Sequence, residues 1–282
     1  MATAREIRRR ISSVKNIAKI TRAMQLVAAA RMRGAQNRVI QSRPYADALR
    51  QILSGLASQK SGVRHPLLAE RPVQKTLIVE VSPDRGLCGS LISNLHRKVG
   101  REIQARGGEI SMVAIGRKAR DFAHRTSTPL LAEYTGLPDS PTVNEVTAAA
   151  QIVTDAYAES QIDLVLLSYS RFISTLNQEA IIEQLLPVVP PTDVSSPIQY
   201  IYEPDESAVL AELLPRYIVT RLYQALLESK ASELSAKMVA MRNATDSANE
   251  LSQDLTLALN KARQAAITSE IAEIAAGAAA LS

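Results

Sequence analysis

The sequence predicts an α/β fold in which two long terminal helices, paired as an antiparallel coiled coil, accompany a compact central domain. Three observations support this prediction. No Gly or Pro occurs from Arg216 to Ala276, residues 2–56 show a similar helical periodicity, and strand-like and helix-like segments alternate in between. Alternation of this kind is typical of a mainly parallel sheet covered by helices.

The C-terminal stretch carries small or apolar residues at alternating spacings of four and three. This spacing is that of a coiled-coil seam, which must be buried against another helix. At about 1.5 Å per residue the stretch would span roughly 90 Å, more than a globular domain of this mass can enclose. We therefore expect something besides its own chain to surround part of it. The predicted seam comprises Leu227, Ala231, Leu234, Met238, Met241, Thr245, Ala248, Ser252, Leu255, Leu259, Ala262 and Ala266.

The N-terminal segment repeats this pattern from Ala2 to about Leu56. Pro44 is predicted to bend or interrupt its helix, because proline removes one backbone hydrogen bond. The two terminal helices are expected to pair with each other, antiparallel, since the chain leaves the central domain through one and returns through the other. The N-terminal seam comprises Ile7, Ile11, Val14, Ala18, Thr21, Gln25, Ala28, Met32, Ala35 and Val39.

The central segment is predicted to be a Rossmann-like α/β domain. Every Tyr and Phe lies between Tyr45 and Tyr223, which places the globular core in the middle of the chain. Asp205 stands where the start of the last helix favours a carboxylate. The predicted strands are Thr76–Ser82, Glu109–Gly116, Leu130–Tyr134 and Asp163–Ser170. The predicted helices are Ser90–Gln104, a helix that follows the second strand and ends at about Arg125, and Asn144–Glu159. The expected organisation is an N-terminal coiled-coil helix over 1–57, the central domain over 73–203 and a C-terminal coiled-coil helix over 205–280.

The net charge of +5 is unevenly distributed along the chain. Residues 1–50 carry twelve Lys or Arg against Glu6 and Asp47, a balance of +10, so the remainder has a balance of about −5. A basic helix of this kind favours an acidic protein surface, nucleic acid or anionic lipid as a partner. A solvated face that only keeps the protein soluble is the plainer alternative.

Motifs for bond chemistry are not apparent in the sequence. The segment Asp84–Ser90 (DRGLCGS) places two glycines before a helix, but neither G-x-x-x-x-G-K-S/T nor G-x-G-x-x-G occurs. Three scattered histidines and one cysteine, Cys88, offer no zinc-binding spacing. Cys88 is expected to be buried, and Gly86 and Gly89 to serve as turn residues. We expect no cofactor, no catalysis by this chain alone and no segment long enough to span a membrane.

Four ordered motifs resemble the gamma subunit of F-type ATP synthases, and the resemblance covers essentially the whole chain. Ile7–Gln36 and Met238–Leu281 resemble that family's terminal helices, while Asp84–Gly89 (DRGLCG) and Tyr202–Asp205 (YEPD) lie between them in the matching order. The resemblance implies a central-stalk rotor. Such a rotor couples proton-driven or sodium-driven rotation of a membrane c-ring to ATP synthesis or hydrolysis on the beta subunits, and is not itself catalytic.

The resemblance also implies partners and a location. Three alpha and three beta subunits would surround one gamma subunit, which would also bind the epsilon subunit and the c-ring. Nucleic acid is not among these partners, and association with the membrane would occur only through the complex. Because the first motif begins almost at the first residue, we expect a bacterial protein, peripheral to the plasma membrane on its cytoplasmic side.

Individual residues match functional positions of this family. Arg263, Gln264 and Thr268 match positions that form a catch with a beta-subunit loop, although an exposed helix face would also explain their polarity. Met24 matches a position near the beta-subunit lever that transmits torque, or is simply a seam residue. The basic residues that would face acidic lever segments of beta are Lys15, Lys19, Arg22, Arg31 and Arg33.

Two other functional hypotheses remain open from the residues alone. A nucleic-acid-binding coiled coil would explain the basic N-terminal helix, but it predicts a basic partner helix. Residues 205–282 instead carry ten Asp or Glu against seven Lys or Arg. A dinucleotide-dependent enzyme would use the central sheet, which lacks the glycine fingerprint.

Overall fold

The computed structural model describes residues 4–58, 65–189, 203 and 205–281. Contacts divide the chain into two compact units. The helical unit combines Met1–Ala28 with Lys237–Ser282, and the sheet unit is Ala29–Ala236. The elements in chain order are α1 (Ala4–Ser58), a short 3-10 helix (Pro66–Leu68), β1 (Lys75–Val81), α2 (Leu91–Ala105), β2 (Glu109–Ile115), α3 (Arg117–Arg125), β3 (Leu130–Tyr134), α4 (Asn144–Ala158), β4 (Leu164–Phe172), β5 (Gln178–Leu186) and α5 (Glu206–Leu281).

The sheet unit contains a five-stranded sheet in the order β3-β2-β1-β4-β5. The first four strands are parallel, with Val79 of β1 paired to Val113 of β2 and Leu167 of β4. One sheet face packs in a core with α4 and α5, and the opposite face packs with α2 and α3. The α/β class with a mainly parallel, helix-covered sheet is therefore confirmed, and the predicted strands agree with β1 to β4 to within two residues.

Strand β5 is missing from the sequence prediction. It pairs antiparallel with β4 and lies at the edge of the sheet, so only one of its sides is hydrogen-bonded to a neighbouring strand. A half-exposed edge strand needs fewer apolar residues than a central one. Four of its nine residues are Gln or Glu, which hid it from a search for buried apolar runs.

The paired terminal helices are antiparallel. Within the sheet unit, Ala35 and Val39 of α1 pack in a cluster with Leu227, Ala231 and other residues of α5. Leu53, further along α1, joins the cluster that holds earlier residues of α5, from Leu210 to Leu226. Residue numbers thus rise along one helix as they fall along the other, as the fold prediction requires.

In the helical unit the seam ends before its last predicted residue. The hydroxyl oxygens of Thr21 and Thr245 lie 2.7 Å apart, and the predicted positions up to Ala262 are buried or half-buried. Counting equal numbers of residues from this pair along two antiparallel helices brings Ala262 level with Ala4, the first described residue of α1. The prediction that Ala266 is a seam residue is wrong, because it lies beyond this point and is exposed.

Pro44 does not interrupt α1, so this part of the prediction is wrong. The helix continues from Ala4 to Ser58 with Pro44 inside it. Proline removes only one backbone donor, and the following turns are fixed by the burial of Ala46, Leu49 and Leu53. Tertiary packing therefore outweighs the local helix-breaking tendency.

Asp205 caps α5, as predicted, since its Oδ1 accepts a hydrogen bond of 2.9 Å from the backbone N–H of Ala208. The connection between α1 and β1 is described from residue 65 onward. The Pro-rich stretch 187–204 and the motif at 202–205 lie largely outside the described residues. None of the helices in the described part of the chain combines the length and the hydropathy needed to cross a bilayer.

A buried ionisable pair lies between β1 and α2. The Glu80 side chain is fully buried, and its Oε1 lies 3.0 Å from Nε2 of His96. The imidazole stacks on Phe122 with 4.4 Å between ring centroids, and Arg125 approaches its other nitrogen. Burial raises the pKa of Glu80, while the hydrogen bond and charge of His96 and the charge of Arg125 act in the opposite direction.

Replacing Glu80 by Gln should therefore stabilise the chain at pH 7.5 but not near pH 4. A raised carboxyl pKa means that the native state binds the proton more tightly than the unfolded state. The parent then loses stability as pH rises from the ordinary value of about 4.5 through the raised pKa. Glutamine removes this loss, so the difference in melting temperature between variant and parent should increase over that interval.

Thermal melts monitored by circular dichroism at several pH values test this prediction. Glu102→Gln is the control, because its carboxylate is half-buried and pairs with Arg106 one helical turn away. Its melting temperature relative to the parent should not increase with pH. A Glu80→Gln variant that melts below the parent at pH 7.5 would contradict the expectation.

Candidate partner-binding site

Hydrogen bonds to Asp84 of the DRGLCG segment connect the carboxyl ends of β1, β2 and β3. Asp84, which follows β1, accepts a hydrogen bond of 2.8 Å at Oδ1 from the backbone N–H of Arg117, just after β2. Its Oδ2 accepts another, of 2.9 Å, from the N–H of Leu137 after β3. Cys88 in the same turn is buried, as predicted, and Gly89 has a φ of 60° that favours glycine. The motif thus has a structural role at this edge.

Helix α5 covers the place where an open α/β sheet normally binds a ligand. That place lies at the carboxyl ends of the strands where the strand order reverses, here between β1 and β4. Ser229 Oγ of α5 donates to the Val81 carbonyl over 3.1 Å, and Ser232 Oγ donates to that of Ser170 over 2.9 Å. The cavity between α5 and the turn after β1 measures about 10 Å³. This is space for about one water, whereas nucleotide-sized pockets need several hundred Å³.

The three predicted catch residues lie on an exposed part of α5 in the helical unit. Arg263, Gln264 and Thr268 are all exposed. Thr268 Oγ1 donates a hydrogen bond of 2.9 Å to the Gln264 carbonyl, so these two side chains project from successive turns of one face. The three residues lie beyond the part of α5 that pairs with described residues of α1, and their side chains are accessible to another molecule.

An apolar stripe that the sequence analysis missed lies on the same exposed part of α5. Ile267, Ile271 and Ile274 are spaced by four and three residues, and their exposed fractions are 48%, 61% and 72%. Residues at this spacing form one face of a helix. A row of exposed large apolar side chains is typical of a surface that another protein covers. The spacing itself was the available signal, but the stripe is one position out of step with the predicted seam residues Ala262 and Ala266.

The residues of the helical unit that are predicted to contact the beta-subunit lever lie on α1. Lys15, Lys19 and Arg22 are exposed, and Arg22 Nη1 donates a 3.1 Å hydrogen bond to the Gln25 side chain. Met24 is half-buried, so its position suits either a seam residue or a partner contact. The three cations present positive charge on the exposed part of this helix.

Arg31 and Arg33 belong to the sheet unit and differ in their contacts within the chain. Arg33 is exposed. Arg31 forms an ion pair with Asp139 in the loop between β3 and α4, although both side chains remain at least half exposed. The sequence analysis missed Asp139 because 108 positions separate it from Arg31. Arg31 therefore already has an acidic partner within its own chain.

Comparison with known proteins identifies the family. A family model described as ATP synthase matches residues 3–281. An ATP synthase gamma chain of Dehalococcoides mccartyi is 47% identical over 287 residues, with both chains fully covered. That of Chloroflexus aurantiacus is 48% identical over 289 residues, covering 100% of this chain and 99% of the relative. The chain belongs to the ATP synthase gamma chain family.

Solved structures show the same fold at lower identity. A structure of the Euglena gracilis mitochondrial ATP synthase described as OSCP/F1/c-ring contains a chain that matches with a TM-score of 0.69 and 18% identity, covering 99% of this chain and 94% of that one. A Tetrahymena thermophila central stalk and c-ring structure gives a TM-score of 0.63 and 24% identity, covering 80% and 99%. The resemblance of both termini to this gamma family is thus confirmed, whereas a nucleic-acid-binding coiled coil gains no support.

In this gamma-family chain, Asp84→Ala should lower the melting temperature by several degrees. The substitution removes two hydrogen bonds to a charged acceptor, each worth about 1.5–3 kcal/mol at most, and water can replace part of this because the Arg117 amide is exposed and the Leu137 amide half-buried. The melting temperature of Asp84→Asn, which keeps one acceptor oxygen, should lie between those of Asp84→Ala and the parent. Thermal melts, together with faster hydrogen exchange at the two amides, measure the effect.

Asp121→Ala provides the control for this prediction. Asp121 forms only surface ion pairs with Lys118 and Arg120, and such pairs contribute little to stability. Its melting temperature should stay close to that of the parent. Equal melting of Asp84→Ala and the parent would show that the turn does not depend on this carboxylate.

Proposed function

We propose that this chain is the central-stalk rotor subunit of a bacterial F-type ATP synthase. It couples proton-driven or sodium-driven rotation of the c-ring to ATP synthesis or hydrolysis on the beta subunits of an alpha3beta3 hexamer, without catalysing the reaction itself. The observation that carries the proposal is the exposed end of α5, where polar residues and an apolar stripe face outward on a helix that the family match covers to residue 281. Such a surface requires surrounding protein.

The mechanism follows from differential binding. One shaft without threefold symmetry cannot present the same side chains to three identical beta subunits. A subunit that contacts the face of Arg263 and Gln264 has a different contact free energy from one that contacts the opposite face. This difference biases each catalytic site toward a different state, and rotation transfers the states around the hexamer. A face that contacted all three subunits equally would shift no equilibrium.

The proposed partners are three alpha and three beta subunits, the epsilon subunit and the c-ring. As a family member the chain belongs to the membrane-associated F1 part of a bacterial ATP synthase. We place it at the cytoplasmic face of the plasma membrane, attached only through the complex. The proposed rotor is organised in three segments: a coiled-coil helix over 1–57, the central domain over 73–203 and a second coiled-coil helix over 205–280.

Two groups of residues are proposed to contact the beta subunits. Arg263, Gln264 and Thr268 form the catch, through charge and hydrogen bonds. The second group faces the acidic lever segments, and in it Arg31 would have to exchange its ion pair with Asp139 for one with beta. This second group comprises Met24, Lys15, Lys19, Arg22, Arg31 and Arg33.

Mixing the chain with its cognate alpha and beta subunits should yield a complex with three alpha, three beta and one gamma subunit that hydrolyses ATP. Mass measurement of the purified complex gives the stoichiometry, and a coupled assay gives the turnover. Alpha and beta subunits without this chain are the control. The rotor assignment fails if the chain neither assembles with them nor alters turnover.

Replacing Arg263 or Gln264 by Ala should lower assembly or ATP turnover. Loss of a hydrogen bond that involves a charged group costs about 1.5–3 kcal/mol, which is a factor of roughly ten to a hundred in an equilibrium constant. Lys261→Ala is the matched control for Arg263→Ala, because Lys261 is an exposed cation two positions earlier, about 200° around the helix from Arg263. Circular dichroism of the free chain should be unchanged in all three variants. Parent-like assembly and turnover in both catch variants would remove these residues from the proposed site.

A further inference from the structure

Three serines of α5 lie in a row against the sheet, all within the sheet unit. Ser229, Ser232 and Ser235 follow one another at intervals of three residues and are at most 4% exposed. Their hydroxyls donate hydrogen bonds to backbone carbonyls of Val81 (3.1 Å), Ser170 (2.9 Å) and Thr175 (2.6 Å), respectively. One helix face is therefore bonded to the end of β1, to β4 and to the turn that follows β4.

The three carbonyls lie beyond the end of the pairing between β1 and β4, on the side that α5 covers. The last residue pair between β1 and β4 is Glu80 with Ser168. Val81 still pairs with Ile115 of β2, Ser170 still pairs with Ala180 of β5, and Thr175 lies in the turn between β4 and β5. A carbonyl covered by a helix without a hydrogen-bond donor is unfavourable. The serine hydroxyls therefore continue the hydrogen bonding of the sheet onto the helix.

Hydrogen bonds fix the rotational position of a helix more strictly than apolar packing does. The flanking residues Leu226 and Leu227 make non-directional contacts that tolerate small displacements. A hydroxyl must remain close to 3 Å from its acceptor with suitable angles. Because each residue turns the helix by about 100°, a shift of α5 by one position would break all three bonds together.

We propose that Ser229, Ser232 and Ser235 act as a rotational lock that holds α5 in one register on the sheet. The lock passes torque from the sheet unit to α5 without slip. This inference rests on the proposed rotor function, and the three serines are positioning residues that act through α5 rather than by contact with nucleotide.

The test is the triple variant with Ser229→Ala, Ser232→Ala and Ser235→Ala, assembled into the complete membrane-bound complex. Alanine removes the three donors while preserving helix propensity and close packing. ATP hydrolysis and ATP-driven ion pumping are measured on the same vesicles. Hydrolysis should stay within about twofold of the parent, whereas ions pumped per ATP hydrolysed should fall by about twofold or more. A merely less stable chain would lower both activities in proportion and leave this ratio unchanged.

Thr220→Ala is the matched control. Its hydroxyl donates to the Arg216 carbonyl of the same helix over 2.8 Å, so its removal breaks no bond between helix and sheet. The ratio of pumping to hydrolysis should equal that of the parent. A reduced ratio in this control would overturn the lock, because loss of an α5 hydroxyl that does not bond to the sheet would then also lower the number of ions pumped per ATP.

The outcomes separate the lock from the rotor function. A triple variant that pumps as many ions per ATP as the parent overturns the lock and leaves the rotor function standing. A parent chain that fails to assemble or pump overturns both. If the triple variant does not fold, the single variants Ser229→Ala and Ser235→Ala replace it. A reduced ratio in either one supports the lock, and parent-like ratios in both overturn it.

Discussion

Helix α5 contributes Leu214, Ile218 and Leu222 to the apolar core of the sheet unit and then covers the strand ends with its serines. This packing places the helix where related sheet architectures bind ligands. Occupation of the site by protein leaves a cavity of about 10 Å³. The same contact therefore stabilises the sheet and fills the crevice that a dinucleotide-dependent enzyme would need.

The composition of α5 changes with the surroundings of each segment. Large aliphatic side chains face the sheet, while Ala231, Thr245 and Ala248 line the surface that pairs with α1. Small side chains let two helix backbones approach closely, which makes a pair of helices thinner. From residue 263 to residue 276 every side chain is exposed. One continuous helix thus combines a core element, a narrow coiled-coil strand and a segment that an outside partner would have to bury.

Sequence reasoning succeeded where the determining interactions are local. The spacing of the seam reproduces the buried positions of α5 as far as Ala262, and strands β1 to β4 follow from short apolar runs. The omission of β5 was an error because this edge strand has four Gln or Glu among nine residues, whereas the interruption expected at Pro44 was wrong because tertiary packing outweighed local propensity. The ion pair of Arg31 with Asp139 and the bond of Ser229 to Val81 join residues more than a hundred positions apart. Periodicity carries no information about such pairs, and the proposed catch residues were suggested only by family resemblance.

Internal packing stabilises the helical unit less than it stabilises the sheet unit. Its seam includes residues such as Ala28, Thr245, Ala248 and Ser252, which bury little apolar area, and stabilisation scales with that area. The contact between Thr21 and Thr245 adds specificity of register more than free energy, because a typical hydrogen bond contributes about 1 kcal/mol net. Larger seam residues would strengthen the pair but thicken it. For the proposed rotor, which turns inside a ring, a thin pair supported by surrounding subunits is the better compromise, and the exposed isoleucines of α5 offer apolar surface for such support.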